Sequence, residues 1–219
     1  MVFKTMDRYF GIRTAGGPGL VCPSGNGSGR IIAHLDRPIE VSPKVPHNHR
    51  IIIRPFHDND AVPPITSLLH DAYAPLAAMN LRFTATYQDD DVTRSRLSRG
   101  VSWVAELDGE IVATVTLYPT PSASSACSWY HMTDVFTFGQ FAVRPDLQRN
   151  GLGARLIQLM ETEAAARGAK ELALDTVEGA HHLIRWYEKL GFRFIEFVDW
   201  SSTNYRSVVL SKALSKEAD

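Results

Sequence analysis

Residues 148–153 have the composition and the setting of a phosphate-binding turn. They include Gly151 and Gly153, they follow an apolar run over Val135–Val143 that is typical of a strand, and apolar residues recur at helical spacing after them. At a strand-to-helix turn, successive backbone N–H groups point outward and the helix dipole adds positive potential. Glycine lets a ligand approach the backbone closely. The segment therefore predicts a pyrophosphate site.

The G-x-G spacing alone leaves a second interpretation open, which is a tight turn that binds nothing. The segment lacks the third glycine of a dinucleotide fingerprint. It also lacks the Gly-Lys-Ser/Thr ending of a P-loop. Both of those nucleotide sites are disfavoured.

Two longer motifs narrow the interpretation. Residues 141–154 read FAVRPDLQRNGLGA, and residues 186–192 read WYEKLGF. Together they closely resemble the GNAT superfamily of N-acetyltransferases, whose signature is Gln/Arg-x-x-Gly-x-Gly/Ala after a Val-x-Pro strand end, with Tyr-Glu-x-x-Gly-Phe downstream. The resemblance spans roughly residues 50–214 and leaves residues 1–49 unexplained.

The resemblance implies an acetyl-CoA-dependent acyltransferase that acetylates a primary amine by direct attack in a ternary complex. Acetyl-CoA would lie where two adjacent strands splay apart. Gly139 marks a place where such a strand could bulge and offer an N–H to the oxyanion. The residues implied in cosubstrate binding are Phe141, Ala142 and Val143 for the pantetheine arm, and Arg149, Asn150, Gly151, Leu152, Gly153 and Ala154 for the pyrophosphate.

Proton transfer requires an acid and a base. Tyr187 matches the general acid of the family, although helical periodicity alone favours a core aromatic residue. Asp175 follows the apolar run 172–174 at a position where several relatives carry a glutamate, and it is our first candidate for the base. A strand-end aspartate is as often a turn or cap residue. The alternative bases are the histidines whose pKa values naturally lie near neutrality, namely His131, His181 and His182.

Two positions depart from the family pattern. Gln140 stands where some relatives carry a glutamate, and an amide cannot act as a base. Ala180 stands where many relatives have an asparagine that contacts the cofactor, a contact that His181 or Thr176 could replace. These departures leave open a non-catalytic acyl-CoA-binding or regulatory module, and a transferase for a longer acyl group is a further alternative.

The local patterns predict an α/β (α+β) domain over residues 50–219. Helical spacing runs from Ile65 after a proline pair, with Asp58 or Asp60 as the expected cap, and Asp89 opens a cap cluster for a second helix. Asp108-Gly109 predicts a tight hairpin. By resemblance the sheet is mixed and mostly antiparallel, with helices on both faces and a splayed strand pair.

Glycine and proline make residues 1–49 a flexible N-terminal extension, within which residues 31–35 could form an edge strand. The chain has 219 residues, a net charge of -1 and no apolar run approaching about 18 residues, which argues against nucleic acid and membrane as partners. The cysteines and histidines lack metal-ligand spacing, so no metal is expected. A cytoplasmic enzyme with a small-molecule or protein amine as acceptor is expected, and family analogy allows a homodimer.

Overall fold

The computed structural model describes residues 50–119 and 126–214, together with the backbone of residues 39–41. The described helices are α1 Pro63–Ala77, α2 Asp90–Leu97, α3 Leu152–Ala166 and α4 His181–Lys189. The described strands are β1 Ile39–Val41, β2 Ile51–Pro55, β3 Val101–Leu107, β4 Glu110–Tyr118, β5 Val135–Val143, β6 Glu171–Val177, β7 Arg193–Asp199 and β8 Arg206–Ala213.

These strands form a single mixed sheet in the order β1-β2-β3-β4-β5-β6-β8-β7. Every neighbouring pair is antiparallel except β5 and β6, which are parallel. The predicted fold class is therefore confirmed. Strand β1 lies inside the segment predicted to be an extension and pairs with β2. The edge strand predicted at residues 31–35 lies outside the described residues.

The local signals for turns and caps have different outcomes. The hairpin turn is confirmed, because Asp108 and Gly109 both adopt positive φ, at 53° and 85°. Asp89 caps α2 as predicted, accepting from the Val92 N–H at 2.8 Å. The predicted cap of α1 by Asp58 or Asp60 is wrong.

Helix α1 instead begins after Val62 without a side-chain cap. Prolines at its first two positions have no N–H, so fewer donors need an acceptor there. Asp60 turns away from the helix and binds the Arg54 guanidinium at 2.7 and 2.9 Å.

The helices divide between the two faces of the sheet. Ser102 and Tyr118 donate hydrogen bonds to main-chain carbonyls of α2, at 2.7 and 3.2 Å, so their side chains lie on the α2 face. On the opposite face, Lys212 of β8 binds Glu161 of α3 at 2.7 Å. The register aligns Tyr118↔Thr137↔Ala173↔Ser211 across four strands, so these four side chains share the α2 face. Adjacent residues of a strand point to opposite faces, so Lys212, which follows Ser211, points to the other one.

The parallel pairing of β5 and β6 is short. Only three residue pairs join the strands, from Val135↔Glu171 to Thr137↔Ala173. Residues 138–143 and 174–177 have no partner across this junction, so the two strands separate toward their carboxyl ends. This is the predicted splayed pair, and we call the opening between these two unpaired segments the gap.

A β-bulge in β5 lies beside the gap. Thr116 pairs with Gly139 and Thr114 pairs with Ala142, so two residues of β5 stand opposite one residue of β4. The extra residue adopts the left-handed region at Gln140, with φ of 46°. Gly139, where a bulge was expected, stays in register and adjoins the bulge.

Candidate active site

The turn between β5 and α3 contains two residues with left-handed backbone conformation, one of which is a glycine. Arg149 and Gly151 have φ of 65° and 85°, and Gly151 is the N-cap of α3 without a side-chain acceptor. The Gln148 amide donates to the Val143 carbonyl at 3.0 Å and ties the turn to the end of β5. Alternating left-handed residues turn backbone N–H groups toward one concave side, which suits an anion.

A groove of about 650 Å³ opens beside this turn. One wall is the turn and the start of α3, and the others are the carboxyl half of α1 and the first turns of α4. The lining residues are Ala72, Pro75, Leu76, Met79, Val143, Gln148, Arg149, Gly151, Gly153, Ala154, His182, Leu183 and Trp186. A mostly apolar groove bordered by a turn of this backbone conformation suits a ligand with a flexible arm and a phosphate group.

Five of the residues predicted to bind the cosubstrate line this groove, namely Val143, Arg149, Gly151, Gly153 and Ala154. Phe141, Ala142 and Leu152 are buried, and Asn150 is exposed outside the lining. The groove-lining residues of α1, and Leu183 and Trp186 of α4, were not predicted. One signal in the sequence could have pointed to the α1 wall, namely a proline inside the helix, Pro75.

Tyr187 lies directly behind the groove. Its ring is fully buried and contacts Phe138 and Phe192, with ring centroids 6.4 and 5.4 Å away. It also contacts Trp186, a groove-lining residue, at 4.9 Å. Burial raises the pKa of Tyr187 well above its usual value, and the neighbouring Tyr73 adds to this effect. The phenol therefore stays protonated at physiological pH, which is the state that a proton donor requires.

Asp175 lies on the other face of the sheet. It lies two positions after Ala173, the last residue of β6 that pairs with β5. Its side chain therefore points to the same face as that of Ala173, which is the α2 face. Its side chain is 1% exposed, and its Oδ2 accepts from the indole N–H of Trp200 at 3.0 Å. Tyr187 packs on Phe138, the first residue of β5 without a partner in β6, so the two candidates lie beside the same gap on opposite faces.

Comparison with known proteins fits this arrangement. The model of the Acetyltransferase (GNAT) family matches residues 67–192, which is more than half of the chain. The protein belongs to the GNAT family. It is 30% identical over 130 residues to the S-(2-succino)cysteine N-acetyltransferase of Bacillus subtilis (strain 168), a match that covers 55% of this chain and 72% of that relative.

Solved GNAT structures share the fold. The ribosomal-protein-S18-alanine N-acetyltransferase of Escherichia coli is 19% identical with a TM-score of 0.57, covering 77% of this chain and 97% of that one. A GNAT family acetyltransferase from Elizabethkingia anophelis, solved with acetyl-CoA bound, is 19% identical with a TM-score of 0.53. The match covers 75% of this chain and 98% of that one. Because its family model and its curated relative are acetyltransferases, this GNAT protein is an acyltransferase with acetyl-CoA as its cosubstrate.

The two departures of this GNAT protein from the family pattern have distinct surroundings. Gln140 is fully buried, and neither end of its amide has a hydrogen-bond partner among the described residues. Ala180 is the N-cap residue of α4 and offers no side-chain acceptor there. Thr176 is 1% exposed, and its hydroxyl has no partner in the described part of the chain, so it is available as a replacement donor.

The histidines considered as alternative bases are all exposed. His131 lies before β5, while His181 and His182 open α4. Of these three, His182 lines the groove. No helix in the described ranges is long and apolar enough to cross a membrane.

Proposed function

We propose that the protein transfers the acetyl group of acetyl-CoA to a primary amine by direct attack in a ternary complex. The observation that carries this proposal is the gap between β5 and β6, which has a protonated phenol, Tyr187, on one face and a buried carboxyl group, Asp175, on the other. A thioester in such a gap has an acid and a base on opposite sides.

The backbone around the gap supports the placement of acetyl-CoA. The turn at residues 148–154 offers N–H groups to the pyrophosphate, and the left-handed φ of Gly151 disfavours a side chain there. Beyond Thr137 the gap side of β5 has no strand partner. Its main-chain groups at residues 141–143 can bond the amides of pantetheine as a missing strand would.

The chemistry assigns one proton transfer to each candidate. The amine nitrogen attacks the thioester carbon, the C–S bond breaks, and the acetyl group becomes an amide. Asp175 accepts the proton that the amine loses. Tyr187, whose phenol is protonated near neutral pH, gives its proton to the departing sulfur.

Direct attack is favoured over an acetylated enzyme intermediate because no described cysteine suits that role. Cys127, the cysteine among the described residues, is fully buried and does not line the groove. Burial raises the pKa of its thiol, so the nucleophilic thiolate is disfavoured. Initial-rate kinetics with both substrates varied test this point, since a ternary complex gives intersecting reciprocal plots and an acetylated intermediate gives parallel ones.

For the acceptor, we propose a small amine that also carries a carboxylate. The relative from Bacillus subtilis is named for such a compound. In this chain the Arg82 side chain lies over the ring of Tyr87 at 5.9 Å and has no carboxylate partner among the described residues. Arg82 is three residues beyond the groove-lining Met79, and its backbone N–H is held by Asn204 at 2.9 Å.

An amine panel tests the proposed acceptor. S-(2-succino)cysteine, other dicarboxylic amino acids, their decarboxylated analogues and a peptide amine are each supplied with acetyl-CoA, and released thiol is measured. We expect the carboxylated amines to react fastest, and Arg82→Gln to reduce their advantage over the matched analogues. Faster acetylation of the peptide would replace the small acceptor with a protein. Absence of acetyl-CoA binding in calorimetry would contradict the proposal as a whole.

A further inference from the structure

Trp200 forms a buried side-chain hydrogen bond with the Asp175 carboxylate. The indole N–H donates to Oδ2 at 3.0 Å, and the two side chains are 7% and 1% exposed. We propose that Trp200 is a positioning residue for the reaction: it orients the Asp175 carboxylate toward the gap and stabilises its ionised form. This inference rests on the proposed function, in which Asp175 is the base.

The indole is itself held from two sides. Its ring stacks on Tyr130, with centroids 6.3 Å apart and planes 16° apart. The main-chain carbonyl of Trp200 accepts from both the N–H and the hydroxyl of Thr203 at 3.0 Å, which fixes the turn that follows β7. A donor held in this way loses little freedom when it bonds the carboxylate, so the bond can set the orientation of Asp175.

Glu196 of β7 fixes the segment that carries Tyr130. Its carboxylate accepts from the Trp129 N–H at 3.0 Å, from the Ser128 hydroxyl at 2.9 Å and from the Cys127 thiol at 3.3 Å. Burial opposes ionisation of Glu196, but these bonds outweigh it, and its pKa is lowered. A continuous set of contacts thus runs from the edge strand through Tyr130 and Trp200 to Asp175.

The surroundings of Asp175 explain why an N–H donor matters. Its side chain borders an apolar cluster formed by Cys127, Tyr130, Val135, Ala173, Val198, Trp200 and Val209. Burial of this kind disfavours a charged carboxylate unless donors compensate. The other titratable groups of the cluster are the Cys127 thiol, whose pKa burial raises, and the Tyr130 phenol, with Glu196 at its border. None of these three groups is a cation, while the Arg193 guanidinium lies 5.7 Å from the ring of Trp129, which packs against the cluster.

The experiment compares Trp200→Phe with the native protein. Phenylalanine keeps an aromatic ring against Tyr130 but cannot donate. We expect kcat/KM for the amine to fall about tenfold near neutral pH, the loss of one hydrogen bond to a charged group. The acidic limb of the pH profile should move to higher pH, so the deficit shrinks as pH rises. Affinity for acetyl-CoA should stay the same, because Trp200 does not line the groove.

Trp129→Phe is the matched control. It removes an indole from the same cluster, but the Trp129 indole N–H has no hydrogen-bond partner among the described residues. We expect its pH profile to superimpose on that of the native protein. An equal loss for Trp200→Phe at every pH, or the same shift in both variants, would overturn the positioning role.

Two further variants separate the possible failures. Asp175→Asn that keeps full activity would refute the proposed base and, with it, this inference. If Asp175→Asn is inactive while the Trp200→Phe profile matches the native one, the base stands and the positioning role falls. Should Trp200→Phe not fold, Tyr130→Leu loosens the indole without removing its N–H. It is expected to shift the acidic limb in the same direction by less, and an unshifted limb would refute the inference.

Discussion

Replacing Tyr187 with phenylalanine should separate proton donation from packing. The side chain is fully buried and touches three aromatic rings, all of which phenylalanine can still contact. What the variant loses is a phenol whose high pKa keeps it protonated. Without it, CoA must leave as a thiolate.

The size of the effect follows from that chemistry. General acid catalysis contributes about 10²- to 10⁴-fold. Thiols ionise near pH 8.5, so a thiolate is a tolerable leaving group and the lower end applies. We therefore expect kcat to fall about 10²-fold, equivalent to roughly 2.7 kcal/mol of activation free energy. The unfolding free energy should change by no more than about 1.5 kcal/mol.

The assay pairs released thiol, measured with the fastest amine of the panel, with calorimetric titration of acetyl-CoA. Tyr118→Phe is the control, since it removes the hydroxyl of another buried tyrosine, whose bond goes to a carbonyl of α2. Native-like turnover by Tyr187→Phe would refute the acid assignment. Loss of acetyl-CoA affinity in proportion to the rate would make Tyr187 a packing residue instead.

Three further predictions concern the groove and the ion pair between Arg54 and Asp60. Gly151→Val should weaken acetyl-CoA binding measured by calorimetry, because a β-branched residue is strained at φ of 85°, and unchanged affinity would contradict the proposed pyrophosphate site. Acetyl-CoA should change the tryptophan fluorescence of the native protein but much less that of Trp186→Phe, because Trp186 lines the groove; an equal response in both would place the ligand elsewhere. The pKa of Asp60 is lowered, chiefly by its hydrogen bond from Arg54, so its contribution to stability is present above its ordinary value of 3.8 and lost as pH falls below it. Asp60→Asn should therefore lower the Tm at pH 7 more than at pH 3, and an equal loss at both would contradict the ion pair's role.

Parts of the molecule set by neighbouring residues could be predicted from the sequence. The left-handed preference of Asp108-Gly109 fixes a hairpin, and Asp89 caps a helix because its carboxylate reaches an N–H three residues on. The turn at residues 148–153, which is the proposed phosphate site, belongs to the same class. Its geometry depends on the glycine at 151 and on the helix that starts after it.

Other parts depend on contacts that local patterns do not contain. Asp175 and Trp200 are far apart in sequence, and only the adjacency of β6, β8 and β7 brings them together. The bulge lies at Gln140, while the more permissive Gly139 stays paired with Thr116 of β4. The position of α1 on the other side of the groove also depends on contacts between residues that are far apart in sequence.

The short junction between β5 and β6 has a consequence for how the molecule opens. Strands β6, β8 and β7 join the other strands through three residue pairs, so little backbone hydrogen bonding resists separation of the two parts. A ligand that bonds across the gap links them and adds RT ln(1 + [L]/Kd) to stability, about 2.7 kcal/mol at a hundredfold excess over Kd. Amides beside the gap should then exchange with deuterium more slowly when acetyl-CoA is abundant. The concentration of acetyl-CoA would then set how long the two parts of the sheet stay together, as well as the rate of turnover.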